Sequence, residues 1–363
     1  MKVSFIHTGD LHLGRQFHFK RNGDVFGSNK RTDLWRTFDK ILNTAEKNQI
    51  DLLLIAGDLF DSDEIEMSEI NRAADKFSKL SMTKVVILAG NHDYYSSVAL
   101  YGLVDWPDNV NILHSGRMES IYFPSLETEV FGLSWVKNAY SDIPFKGHLE
   151  LEEDRNNIMM LHGDAYSRVS DFMPLNIGDY DYFDYVALGH FHKYEMLTKR
   201  AGYCGSPEAL HFGETGDHGV IVGQIENHRC HTQFIKIQER EYVTADVEIT
   251  PDLSMDDILE KVIGIAGEQK RHRDFFRINL VGYCDTDLSL GWLSDELQSH
   301  FYYLELDGSQ LEYDLDIDGI LEDNKDNIIG RFIQEMRRFG DDPVAKKALY
   351  YGLEGVLKER GTK

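Results

Sequence analysis

Five segments of the chain, residues 2–7, 51–56, 84–88, 158–161 and 185–188, are rich in apolar residues. Strands buried on both faces read this way, so these segments predict the inner strands of the core. Between the first two, Leu34, Phe38, Ile41, Leu42 and Ala45 recur at helical spacing, and Ile70, Ala73, Ala74, Phe77 and Leu80 repeat the pattern before the third. These predict two helices packed on the sheet. A further block of strand-like runs at 219–225, 232–237 and 242–249 is separated by polar turns and is expected on the far side of a sandwich. Strand and helix signals alternating over residues 2–240 predict a layered α/β domain.

Beyond about residue 245 the pattern changes. Runs at 258–265, 275–281, 292–297 and 301–306 alternate between helix and strand and predict a smaller α+β accessory domain. Leu311, Tyr313, Leu315 and Ile317 alternate with Glu312, Asp314, Asp316 and Asp318, a period of two that suits a strand with one acidic, solvated face. Ile328, Ile329, Phe332, Ile333 and Met336, then Val344, Leu349, Leu353 and Leu357, predict two amphipathic helices separated near Pro343. The expected organisation is a domain over 1–245, an accessory or capping domain over 246–323, and a helical tail over 324–363. A length of 363 residues agrees with more than one core, since single cores stop growing near ~250 residues.

Composition narrows the function. Hydrophobic residues make up 42% of the chain and charged ones 28%, and no run approaches the ~20 apolar residues of a membrane helix. The first strand runs directly into polar residues with no cleavage-site pattern, so nothing points to export. Cys204, Cys230 and Cys284 lack the spacing of a disulfide framework or zinc knuckle, and reduced thiols in a cytoplasm are expected. A net charge of −24 argues against nucleic-acid binding by bulk positive charge, so any DNA contact must be local and metal-assisted.

Polar clusters fall where the apolar strands end: Gly9-Asp10-Leu11-His12, Gly57-Asp58-Leu59-Phe60-Asp61, Gly90-Asn91-His92-Asp93, Leu161-His162-Gly163-Asp164 and Gly189-His190-Phe191-His192. Sheets bring the residues at their carboxyl ends to a common edge, so these clusters can converge. In extended segments Asp10 and His12 would point the same way, as would His190 and His192. Carboxylate, imidazole and amide without thiolate form a borderline-hard donor set, suited to Mn²⁺ or Fe²⁺ rather than to a closed structural zinc site. Phosphodiester hydrolysis needs charge neutralisation and hydroxide near neutral pH, which two adjacent cations supply.

In this order the motifs resemble the signature of the calcineurin-like metallophosphoesterases. The Asp-Leu-His-Leu-Gly-Arg opening, Ile-Ala-Gly-Asp-Leu-Phe-Asp and Tyr203-Cys204-Gly205-Ser206-Pro207 are similar to the SbcD/Mre11 nucleases within that family. The resemblance implies a β-sandwich flanked by helices over residues 2–240. It implies Asp10, His12 and His192 as ligands of one metal, Asn91, His162 and His190 of the other, and Asp58 as the bridge. His92 would face the scissile phosphate and Asp93 would orient it. Some relatives carry His at the position of Asp61, so no role transfers there. The family further implies a Mn²⁺-dependent exo- or endonuclease of DNA repair, cytoplasmic, acting with an SMC-like coiled-coil ATPase of the Rad50/SbcC type, with a second copy of the chain as a further candidate partner. Arg15, Lys20 and Arg21, interleaved with Phe17 and Phe19, are candidate DNA contacts, or else an ordinary loop. Two other readings stay open: a stand-alone phosphatase or phosphodiesterase of small substrates, and a non-catalytic scaffold. His7, His18, His114, His211, His218, His228 and His231 are read as surface or satisfied core residues, and Cys204 as a small buried thiol.

Overall fold

A computed structural model describes the chain except residues 1, 20–22, 62–64, 96–99, 144, 146, 285–287, 314–315, 341, 343, 346–347, 354 and 356–363. It divides into two compact units, 1–241 and 242–363.

The first unit begins with β1 (Lys2–Thr8), α1 (Gly23–Lys47), β2 (Leu52–Ala56), α2 (Met67–Phe77), β3 (Lys84–Leu88) and β4 (Val110–Leu113). Next come β5 (Glu119–Phe123), β6 (Thr128–Gly132), β7 (Asn156–His162), β8 (Tyr185–Gly189), β9 (Glu195–Met196) and β10 (Ala201–Tyr203). The hairpin β11 (Gly219–Glu226) and β12 (Arg229–Lys236) closes the unit. One six-stranded sheet has the order β12-β11-β1-β2-β3-β4, the other β5-β6-β7-β8-β10-β9.

Each inner strand buries both faces, and alternate residues enter different cores. Leu52 and Leu54 of β2 meet Ile158 and Met160 of β7 between the sheets. Leu53 and Ile55 face outward onto Leu34, Phe38 and Ile41 of α1 and Phe77 of α2. On the second sheet, Met159 and Leu161 pack against the loop residues Trp135, Tyr140 and Phe183. This two-sided burial is why the runs are continuous rather than alternating; each such side chain contributes roughly 1.5–3 kcal/mol.

Two expectations are corrected. Residues 219–236 do not form the far side of the sandwich: β11 pairs antiparallel with β1 and extends the first sheet. The opposing sheet is built around β7 and β8, among the runs read as inner strands. The apolar pattern reports burial; the free edge of β1, whose backbone groups need partners, decides where the hairpin docks. Residues 242–249 belong to the second unit, where they form β13.

That unit comprises β13 (Tyr242–Ile249), α3 (Met255–Ile263), α4 (Glu268–Arg271), β14 (Phe275–Cys284), α5 (Leu290–Leu297), β15 (Tyr303–Tyr313), α6 (Ile317–Asp323) and α7 (Ile328–Arg337). Its three strands are parallel, in the order β13-β14-β15. Ile258 and Val262 of α3 and Leu293 and Leu297 of α5 share a core with Val247, Ile278 and Leu280. Of the strand expected over 311–318, β15 reaches Tyr313, Asp314 and Leu315 lie outside the described residues, and Ile317 opens α6. In the tail, Ile329, Ile333, Leu349 and Leu353 bury against one another, whereas Ile328 and Val344 are exposed. Pro343 and Leu357 lie outside the described residues.

Candidate metal centre

The parallel strands β1, β2, β3, β7 and β8 all end in the motif clusters, and the loops are laced together. Asp10 N–H donates to Gly57 O, His12 N–H to Asp58 O and Asp61 N–H to Leu13 O, each at 3.0 Å. Asp10 and His12 are not extended, as the sequence suggested: their φ angles are 49° and 47°, and that of Asp58 is 50°. Non-glycine residues in this left-handed region are strained and persist where surrounding contacts hold them. Gly57 (φ +94°) must lack a side chain, since a Cβ there would meet His162 Nδ1 at 2.1 Å, and a Cβ on Gly90 would lie 2.2 Å from Asp58 Oδ1.

Three groups of candidate ligands result, Asp10–His12–His192, Asp10–Asp58–His162 and His12–Asp61–His92. Asp58 Oδ2 lies 3.4 Å from His162 Nε2 and 3.9 Å from His12 Nε2, while its Oδ1 accepts the His92 N–H at 2.9 Å. Asn91 Oδ1 is 3.0 Å from His162 Nε2. His12 Nε2 and His192 Nε2 are 3.3 Å apart. His190 and His192 part company: the His190 ring stacks on Phe172 at 4.8 Å and lies 5.4 Å from the His162 ring, while the His190 N–H donates to both Asp10 oxygens at 3.1 Å.

Whether these residues suit a cation follows from their protons. His162 Nδ1 donates to Ala56 O at 2.9 Å, so its Nε2 turns to the oxygens of Asn91 and Asp58, neither carboxylate nor amide oxygen having a proton to offer. A proton or a cation placed there would meet the Asp58 carboxylate. Burial opposes it, yet the charge of Asp58 pushes the His162 pKa up to about 9. Burial likewise raises the pKa of Asp10 against the pull of the neighbouring histidines. Buried carboxylates and inward imidazole nitrogens that demand positive charge fit divalent ions of intermediate hardness.

His92 stands at the mouth, its side chain 44% exposed, with Nδ1 3.7 Å from Asp61 Oδ1. Contact with Asp61 raises its pKa. The carboxylate beside the His92 ring is thus that of Asp61. Asp93 is buried and accepts the N–H groups of Asp58 (3.2 Å), Phe60 (3.1 Å) and Gly90 (2.7 Å) and the Tyr101 hydroxyl. Burial and the charge of Asp58 push its carboxyl up to about 6, and with four donors aimed at it the group is ionised at neutral pH. Its work is to clamp the second and third motif loops together.

Arg15 Nη1 lies 3.7 Å from Asp61 Oδ2; Lys20 and Arg21 fall outside the described residues. Two carboxylates not counted among the site residues prove to belong to it. Asp61, visible in its motif, lies 3.5 Å from His12 Nδ1 as well as beside His92. Glu214 lies 2.8 Å from His192 Nδ1, in a polar turn with no spacing signal.

Buried carboxylates and converging imidazoles at the carboxyl edge of two stacked sheets, the first covered by helices, define a metal-dependent phosphoesterase. The chain belongs to the calcineurin-like phosphoesterase family, which matches residues 3–194. It is 25% identical over 273 residues to the metallophosphoesterase YhaO of Bacillus subtilis (strain 168), covering 72% of this chain and 66% of the relative. Over 234 residues it is 25% identical to the DNA double-strand break repair protein Mre11 of Methanococcus maripaludis, covering 60% of each. The chain thus spans under two thirds of either relative's length. GAP50, the anchor in the inner membrane complex of Plasmodium, aligns with 65% of this chain and 84% of its own at 12% identity and a TM-score of 0.36, which bears no argument. Among the described residues no helix is long and apolar enough to cross a membrane.

Proposed function

We propose that the protein is a metal-dependent DNA nuclease that hydrolyses phosphodiester bonds in DNA repair. The observation that carries the reading is the convergence of Asp10, His12, Asp58, Asn91, His162 and His192 on one buried locus beside an exposed imidazole, His92. Similarity to the Mre11 repair protein directs the substrate towards DNA. In this reading Asp10, His12 and His192 would hold one ion, Asn91, His162 and His190 the other, and Asp58 would serve both. Bound there, two divalent ions, Mn²⁺ foremost, would supply positive charge to the phosphate and acidify water near neutral pH. His92, steadied by Asp61, faces the scissile phosphate and supplies a proton to the departing oxygen. Arg15 offers a phosphate contact, and the exposed rings of Phe172 and Tyr166 near His190 and Phe191 offer faces on which bases stack.

Residues 246–323 would act as the accessory domain and residues 324–363 as the element docking on a coiled-coil ATPase, in the cytoplasm. The exposed Ile328 and Val344 support docking, while the buried Ile329, Ile333, Leu349 and Leu353 support a tail that packs on itself. A second reading, a phosphoesterase of small substrates, draws support from YhaO, which matches more of the chain than Mre11 does.

One assay separates the two. Purified protein with Mn²⁺ is given labelled single- and double-stranded DNA and, in parallel, nitrophenyl phosphate mono- and diesters. The nuclease reading expects DNA cleavage that chelation abolishes; ester turnover with intact DNA refutes it.

A further inference from the structure

We propose that Glu214 is the positioning residue of the metal centre, holding His192 so that Nε2 faces the ion, and that residues 204–214 form the bracket that carries it. The proposal rests on the metal-centre reading above. His192 Nδ1 is 2.8 Å from Glu214 Oε1. An ionised carboxylate only accepts, so in the neutral ring the proton of His192 sits on Nδ1 and Nε2 is the nitrogen left to bind an ion. That Nε2 is 3.3 Å from His12 Nε2 and 4.0 Å from Asp10 Oδ1.

Glu214 is itself fixed. Its Oε2 accepts the Leu210 N–H at 2.7 Å, and its Oε1 lies 3.1 Å from His211 Nε2. The His211 tautomer follows from its other nitrogen, where Nδ1 accepts the Gly213 N–H at 3.0 Å and leaves the proton on Nε2. His211, read from sequence as an ordinary surface residue, thus braces the carboxylate that braces a candidate ligand. The same segment grips the backbone of His192, whose carbonyl accepts the Ser206 N–H at 3.0 Å. Gly205, at φ +74°, makes the approach close enough that a Cβ would fall 2.8 Å from that carbonyl oxygen. The bracket is anchored on α1, where the buried Glu208 accepts from Lys30 Nζ at 2.6 Å and Thr37 Oγ1 at 2.8 Å. A carboxylate behind a metal-binding imidazole fixes its orientation and raises its basicity, and its loss costs roughly 10–100-fold in metal affinity.

The test is Mn²⁺ titration of the full chain by calorimetry, with metal-free melting temperature recorded for every variant. Glu214→Ala is expected to weaken one Mn²⁺ site by ~10–100-fold and leave the other near wild type. Glu214→Gln keeps an acceptor for Nδ1–H and should recover part of the loss. Should the alanine variant fail to fold, the glutamine variant alone decides. Wild-type affinity at both sites in a folded variant overturns the proposal, even if its melting temperature has dropped. A wild-type protein that binds no Mn²⁺ overturns the metal-centre reading itself, and the proposal with it.

Discussion

Replacing Asp93 by alanine separates a clamp from a catalytic helper. The substitution removes the acceptor of three buried backbone N–H groups, those of Asp58, Phe60 and Gly90, and of the Tyr101 hydroxyl. Each buried donor left unsatisfied costs about 1–3 kcal/mol. Water entering the gap recovers part of this, and a net loss of about 3–6 kcal/mol is expected. For a unit the size of residues 1–241, each kcal/mol lowers the melting temperature by roughly 2–4 °C. Metal-free Asp93→Ala should therefore melt about 6–24 °C below wild type. Metal affinity should fall as well, because Asp58 and Asn91 sit on the two loops that Asp93 joins. Tyr101→Phe removes one donor and leaves the three amides paired, so its cost should stay near ~1 kcal/mol. Scanning calorimetry of the metal-free variants, paired with Mn²⁺ titration, reads both effects. If Asp93→Ala melts like wild type and binds Mn²⁺ normally while hydrolysis slows, Asp93 acts on His92 after all and the clamp is refuted.

Other outcomes follow from the same geometry. Asp58→Asn should abolish hydrolysis and lower occupancy at both metal sites, measured by elemental analysis, because its carboxylate lies between His162 and His12; near-normal turnover would remove it from the bridge. His92→Ala should keep both metals and slow hydrolysis by ~10²–10⁴; loss of metal would make His92 a ligand. His7 offers a pH test away from the ligands. Burial lowers its pKa from 6.5 to about 3, so below pH about 6.5 the unfolded chain binds a proton that the folded chain refuses. The stability that neutral His7 permits is present above that pH and lost as pH falls towards 3, by up to ~1.4 kcal/mol per unit. Metal-free His7→Phe should melt with a shallower acid slope than wild type between pH 6.5 and 4.5, and identical slopes would contradict a neutral buried His7.

What the chain alone determined is local. Continuous apolar runs mark strands buried on both faces, because a residue's place in such a run reflects its own burial, and β1, β2, β3, β7 and β8 lie where those runs do. The candidate ligands were legible because their residue types recur at strand ends. Relations between distant segments were not legible. Residues 219–236 show strand character without showing that β1 has a free edge to receive them. Asp10 and His12 look extended in isolation, and it is the backbone bonds to Gly57 and Asp58 that hold them left-handed. The family resemblance paired Asp93 with His92, whereas tertiary packing turns Asp93 onto buried amides and brings Asp61 beside the imidazole. Glu214 meets His192 across a separation of 22 residues, and His12 meets His192 across 180. Local composition specifies what a segment needs to bury or bind, but which partner satisfies it is decided only when the sheets stack and the loops at their carboxyl ends compete for the same space.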